Sequence, residues 1–117
     1  MRLARGADAE TQALRALCKA GLTLVTRNWR CRHGELDLVM RDREVLVFVE
    51  VRARRRSDFG GAAASVDKRK RQRLAAAAGA FLAAHPQHAA LPARFDVVAF
   101  ERDQAPQWLR GAFTVED

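Results

Sequence analysis

From Gly34 to Arg54 the chain reads GELDLVMRDREVLVFVEVRAR, two alternating runs separated by Arg41, Asp42, Arg43 and Glu44. No other segment constrains the fold as far. Aliphatic residues recurring at every second position over such lengths fit paired strands, and the four polar residues between them fit a tight turn. With the turn centred on Asp42 and Arg43, Asp37 pairs with Phe48 and Glu35 with Glu50. Glu35, Asp37, Val39, Leu46, Phe48, Glu50 and Arg52 then share one face, while Leu36, Leu38, Met40, Val45, Val47, Val49 and Val51 share the other. The second set is wholly apolar and must be core. The first is apolar near the turn and charged away from it, so a helix is expected over Val39, Leu46 and Phe48, with the charged end left open.

The flanking sequence supplies the helices. Ala7 to Ala20 is helical in pattern, with Ala7, Leu14, Leu17, Cys18 and Gly21 on one side and Gly21 placed to stop it. Glu10 lies on that side too, either aimed at the edge of the core or exposed as a first-turn acid that the helix dipole favours. Leu22 to Trp29 reads as a first strand, followed by a basic turn from Arg30 to Gly34. Ala53 to Ser65 is basic, then glycine-rich, then small, which suits a loop. Ser65 is a candidate cap for a helix from about Val66 to Ala84, ended by Pro86, whose apolar stripe is Leu74, Ala77, Ala78, Phe81 and Leu82. Arg94 to Phe100 and Gln107 to Val115 are the remaining strands. Helix, three strands, long helix, then one or two strands predicts an α/β (α+β) mixed sheet with helices against it. The passage from Val45 to Phe100 is expected to be a right-handed parallel crossover.

With 117 residues the chain has room for one domain, 1–117. Its formal charge of +7 favours an anionic partner, with nucleic acid the leading candidate. Cys18 and Cys31 have no CxxC spacing, so neither a zinc site nor a disulfide scaffold is supported. MRLARGADAE has no apolar run suited to a signal peptide and no later segment could span a membrane, so a cytoplasmic protein that does not enter membranes is expected.

The charged end of the hairpin carries the chemistry. Asp37 and Glu50 as diagonal neighbours would stand about 7 to 8 Å apart between backbones, near enough for their carboxylates to share one ion. Two such acids repel unless a cation separates them. Mg²⁺ or Mn²⁺, which take carboxylate oxygens, waters and substrate phosphates, would resolve the conflict. The plain alternative is an ion pair of Glu50 with Arg52 or Arg54 on a solvated strand face. Arg52, Arg54, Arg55 and Arg56, then Lys68, Arg69, Lys70, Arg71 and Arg73, bracket the acids with residues suited to phosphate contacts. Trp29 and Trp108 are expected in the core rather than stacked on bases. His33 is a possible proton shuttle, and His85 and His88 read as surface loop residues. Asp96 reads as an ion-pair partner of Arg94 or of a neighbouring strand's arginine.

GELDLV followed by VFVEVRAR resembles the paired-strand motif of restriction-endonuclease-like nucleases, in which Asp is followed one hairpin later by Glu, any residue and Lys. Together with Gly6-Ala7 and Glu10, Asn28-Trp29, Lys68-Arg69 and Arg94-Phe95-Asp96-Val97-Val98, it resembles the bacterial YraN family, itself similar in layout to archaeal Holliday-junction resolvases. The resemblance implies a restriction-endonuclease-like core with a mixed four- or five-stranded sheet flanked by helices. It also implies that Asp37, Glu50 and the Val51 carbonyl hold Mg²⁺, with Glu10 reaching the same site. One position departs from the motif: Arg52 stands where Lys is usual, and Arg can clamp a phosphate but does not serve as a general base. Two functions follow as expectations: a Mg²⁺-dependent, structure-selective DNA endonuclease of repair or recombination, with Glu10, Asp37, Glu50 and Arg52 catalytic, and a non-catalytic nucleic-acid-binding protein on the same fold. Lys68 or Lys70 could swing in for the missing Lys. A two-fold DNA substrate would favour a homodimer.

Overall fold

The computed structural model describes residues 6–54, 66–101 and 105–114. A helix α1 (Gly6–Lys19) precedes strands β1 (Thr23–Cys31), β2 (Gly34–Asp42) and β3 (Val45–Arg54). A second helix, α2 (Lys68–Ala84), and a short 3₁₀ turn (Pro86–His88) lead to β4 (Ala93–Glu101) and β5 (Gln107–Phe113). The five strands form one mixed sheet in the order β1-β2-β3-β4-β5. Only β3 and β4 run parallel, joined through α2 as the sequence predicts, and the other pairs are antiparallel.

Each face of the sheet carries one helix. Ala9, Ala13 and Leu17, spaced four apart, bury α1 against Leu38, Met40, Val47, Val49, Val98 and Phe100. Cys18, expected on that buried side, is exposed, because small alanines at positions 9 and 13 let the helix settle on a neighbouring line of contact. Gly21 ends α1 at φ 104°, the left-handed conformation that costs glycine nothing. On the opposite face, Leu74, Ala77, Ala78 and Phe81 of α2 cover Val39, Leu46, Phe48, Val97 and Ala99. That is the stripe the sequence predicts. Fully burying a side chain such as Phe81 contributes about 1.5–3 kcal/mol.

The hairpin register differs from the expected one by two residues. Asp42 pairs with Val45 and Leu38 with Val49, so the turn is Arg43-Glu44, with Arg43 at φ 55°. A positive φ at the first loop residue matches the twist of the strands leaving a two-residue turn. Continued past Leu38 and Val49, this register sets Asp37 opposite Glu50, rather than opposite Phe48 with Glu35 opposite Glu50. A shift of two preserves the faces near the turn. Beyond Asp37 it does not: Leu36 belongs to the α2-side core while Leu38 belongs to the α1-side core. The same reversal occurs across the ladder in β1, where Arg27 reaches Thr11 of α1 but Trp29 packs edge-on against Phe81 of α2. Between them lies Asn28 at φ 55°. Asparagine tolerates this conformation better than most residues, and a single left-handed residue turns the strand over.

Other boundaries moved slightly. β1 continues to Cys31, so only Arg32 and His33 remain of the expected basic turn. The helix cap is Asp67, whose side chain accepts from the Lys70 backbone N–H at 2.9 Å. Ser65, the expected cap, lies outside the described residues, as does most of the predicted loop. His85 and His88 are half-buried rather than loose on the surface, and His85 stacks on Phe81 at 4.1 Å and reaches its carbonyl through Nδ1.

Candidate metal and nucleic-acid site

The inversion at Asn28 and Asp37 builds the site. Described pairing between β2 and β3 stops at Leu38 and Val49. One step further the Asp37 carboxylate takes the place of a ladder carbonyl, its Oδ2 accepting the Val51 backbone N–H at 2.9 Å. A side chain thus bridges the fork between the two strands. Glu50 stands across the fork and is 5% exposed, near enough for its charge to act on the Asp37 carboxyl. The continued register thus sets the two acids opposite one another rather than on the expected diagonal.

Two further acids close the cluster. Glu10 comes from the first turns of α1 and Glu35 from the start of β2, and one carboxylate oxygen each from Glu10, Glu35 and Asp37 lies within 4.8 Å of the others. Glu10 Oε1 is buried and accepts no hydrogen bond, its nearest cation being Arg27 Nη2 at 3.8 Å. This settles the two readings of Glu10 in favour of the one that aims it inward. Burial, and then the charges of Glu50 and Glu10, push the Asp37 carboxyl up to about 8, against the lowering effect of the Val51 N–H. Burial and the Glu35 charge raise Glu10 as well, partly offset by Arg27 and an Asn28 hydrogen bond.

Cations reach Glu50 from two elements. Arg52 Nη1, on β3, is 3.5 Å from Glu50 Oε2, and Lys70 Nζ, from the first turn of α2, is 3.4 Å from the same oxygen. Lys70 reaches Glu50 from α2 at nearly the same distance as Arg52 does from β3. Asp67 accounts for its position, since the cap fixes the backbone of Lys70 itself.

The remaining predicted residues divide. Lys68 and Arg69 are exposed on the first turn of α2. Arg71 is committed to structure: its Nε donates to the Val66 carbonyl at 2.8 Å and its guanidinium lies 5.3 Å from the Phe113 ring centroid. Arg54 ends β3, while Arg55 and Arg56 lie outside the described residues. Trp108 donates from Nε1 to Asp96 at 3.0 Å. Asp96 is fully buried, and it also accepts from Arg94 and from the Gly111 N–H, locking β4 to β5 where their register shifts. Asp96 is a structural carboxylate, not part of the acidic cluster. Glu35 and Asn28 are the site residues that sequence reasoning missed. The available signal was an Asn within a strand run, since that residue type marks a left-handed break.

A family model described as "Uncharacterised protein family UPF0102" matches residues 9–100. The chain belongs to this family. Curated relatives agree over nearly the full length. A UPF0102 protein of Xanthomonas campestris pv. campestris is 58% identical over 114 residues, covering 97% of this chain and 93% of that protein. One from Alcanivorax borkumensis is 49% identical over 115 residues, covering 95% and 92%. One from Bordetella avium is 59% identical over 112 residues, covering 96% of this chain and 76% of its own length. The YraN resemblance is thereby established as family membership. UPF0102 carries no activity in its description. No helix among the described residues is long and apolar enough to cross a membrane.

Proposed function

We propose that this UPF0102 protein is a divalent-metal-dependent endonuclease of the restriction-endonuclease-like class, acting on branched or single-strand-containing DNA. The observation that carries this reading is the acidic cluster at the strand fork, where one carboxylate oxygen each of Glu10, Glu35 and Asp37 lies within 4.8 Å of the others and the buried Glu50 acts on Asp37. Such a cluster is tolerable only with bound protons or a bound cation. The donor set is all oxygen and includes a buried Glu10 oxygen without a hydrogen-bond donor, which fits Mg²⁺ or Mn²⁺.

Asp37, Glu50 and the Val51 carbonyl would hold the ion, with Glu10 and Glu35 completing the shell. A divalent cation supplies acidification of an attacking water and neutralisation of charge gathering on the phosphoryl oxygens. The chain's own residues do the rest. Val51 N–H fixes the Asp37 rotamer, and Lys70 and Arg52, from two different elements, hold Glu50 through the same carboxylate oxygen. The Arg52 guanidinium offers a planar fork to a phosphate. A second reading, DNA binding without hydrolysis, is favoured by one observation: Arg occupies the motif's Lys position.

Titration calorimetry with Mn²⁺, followed by incubation with fork, junction and linear DNA, separates the two. The nuclease reading expects a bound metal and cleavage of the branched substrates. Asp37→Asn should reduce cleavage by more than the roughly 100-fold that losing an outer-shell partner costs, while DNA binding persists. Salt-dependent DNA binding with neither metal uptake nor cleavage would leave the second reading standing.

A further inference from the structure

Beside the acidic centre, between the β1–β2 turn and α2, is a hollow of about 50 Å³ lined by His33, Gly34, Glu35, Lys70, Arg73 and Leu74. Its charges are unevenly committed. Glu35 is held by Arg30, Nε to Oε2 at 2.7 Å, and Lys70 reaches Glu50 on its far side. Arg73 is exposed, and among the described residues no ion pair or hydrogen bond holds its guanidinium. Several other arginines among the described residues are tied: Arg27 to Glu10, Arg41 to Glu44, Arg71 to Val66, Arg94 to Asp42 and Asp96. Arg73 therefore presents its guanidinium donors beside a recess whose one acid, Glu35, is ion-paired with Arg30. His33, from the β1–β2 turn, is a further lining residue, and Lys68 and Arg69 extend the positive surface along the first turn of α2.

We propose that this hollow is the docking point for one phosphate group of a nucleic-acid strand, gripped by Arg73 and His33 and set beside the acidic centre across Lys70. The inference rests on the nucleic-acid part of the function proposed above, not on hydrolysis. Phosphate is favoured over the carboxylates of an acidic protein because a guanidinium fork and an imidazole, converging from two elements on a recess this small, match a compact tetrahedral anion. The hollow would fix the register of the strand, so that the adjoining phosphodiester lies over Asp37 and Glu50.

The test is equilibrium binding of fluorescein-labelled forked DNA in EDTA, where no cleavage intervenes, over a series of KCl concentrations. Arg73→Ala is expected to weaken binding about 3- to 10-fold and to reduce the slope of log affinity against log salt by about one, with a smaller loss for His33→Ala. Arg15→Ala and Arg43→Asn remove equal charge from exposed sites elsewhere, Asn being chosen at 43 for its tolerance of positive φ, and should change affinity less than twofold. Equal losses from Arg73→Ala and Arg43→Asn would reduce the effect to net charge and overturn the subsite. So would unchanged binding by Arg73→Ala, or displacement of the DNA by polyglutamate as readily as by unlabelled DNA. If the wild-type chain fails to bind DNA at all, the nucleic-acid reading falls and the subsite with it, whereas intact wild-type binding with an indifferent Arg73 removes only the subsite.

Discussion

Asp37 is placed where an isolated carboxylate is least comfortable, and this has a measurable sign. Its value in the folded chain, about 8, lies above the ordinary 3.8, so between those pH values the folded state keeps a proton that the unfolded state has released. Stability of the metal-free protein therefore falls as pH rises through that window. Asp37→Asn removes the charge and keeps an acceptor for the Val51 N–H. It should melt above wild type at pH 8 and lose the advantage near pH 4, as thermal unfolding by circular dichroism will show. Metal uptake displaces the same proton, so apparent Mn²⁺ affinity should climb with pH to about 8 and level off above it, with calorimetric proton release confined to the lower range. Much at this scale was legible in the sequence. Alternation put Asp37 and Glu50 on one face, and two facing acids on a hairpin demand a cation or a proton. Their apposition was not legible, because it depends on the left-handed Arg43 moving the turn by one residue. Glu35 was already on that face by alternation, but its meeting with Glu10 was not legible, because the strand pattern does not say where α1 crosses the sheet.

At the level of elements, α2 is the piece that completes the site, and its sequence is a compromise. Lys68 to Arg73 crowd positive charge at the end of the helix where the dipole favours acids, and no acidic residue occupies the first turn. Asp67 offsets part of that cost as the cap while fixing the backbone from which Lys70 reaches Glu50. The stripe of Leu74, Ala77, Ala78 and Phe81 could be read from spacing alone. The cap could not, since Ser65 and Asp67 are both good cap residues and only the burial of Val66 between them decides where the helix begins. Gly79 weakens α2 without evident compensation: it is exposed, and a Cβ built there meets nothing within 4 Å. Gly79→Ala should stabilise the protein by about 0.5–1 kcal/mol, read from urea unfolding, with DNA binding unchanged.

Taken as a whole, the molecule combines a net charge of +7 with an acidic centre at one end of its sheet. Basic residues of α2 and the β1–β2 turn frame that centre, which suits a polyanion presented to a cation. A metal that binds only the folded chain must raise its melting temperature. At a free Mn²⁺ concentration 100 times the dissociation constant the gain is about 2.7 kcal/mol, and Asp37→Asn should show little or none of it in a thermal-shift titration. The topology of this scale was readable, because an alternating hairpin, a long amphipathic helix and a further strand admit few arrangements other than a parallel crossover. The crossover has its own consequence for how the chain assembles. Asp37 and Glu50 belong to one hairpin, a local structure that closes within microseconds. Every rung between β3 and β4, from Leu46 with Ala93 to Arg54 with Glu101, joins residues 47 apart, and α2 lies inside that span. Contacts over such separations form late. A nascent polypeptide would thus bring Asp37 and Glu50 together with only Arg52 of the same hairpin beside them, and Lys70 would join once α2 docks.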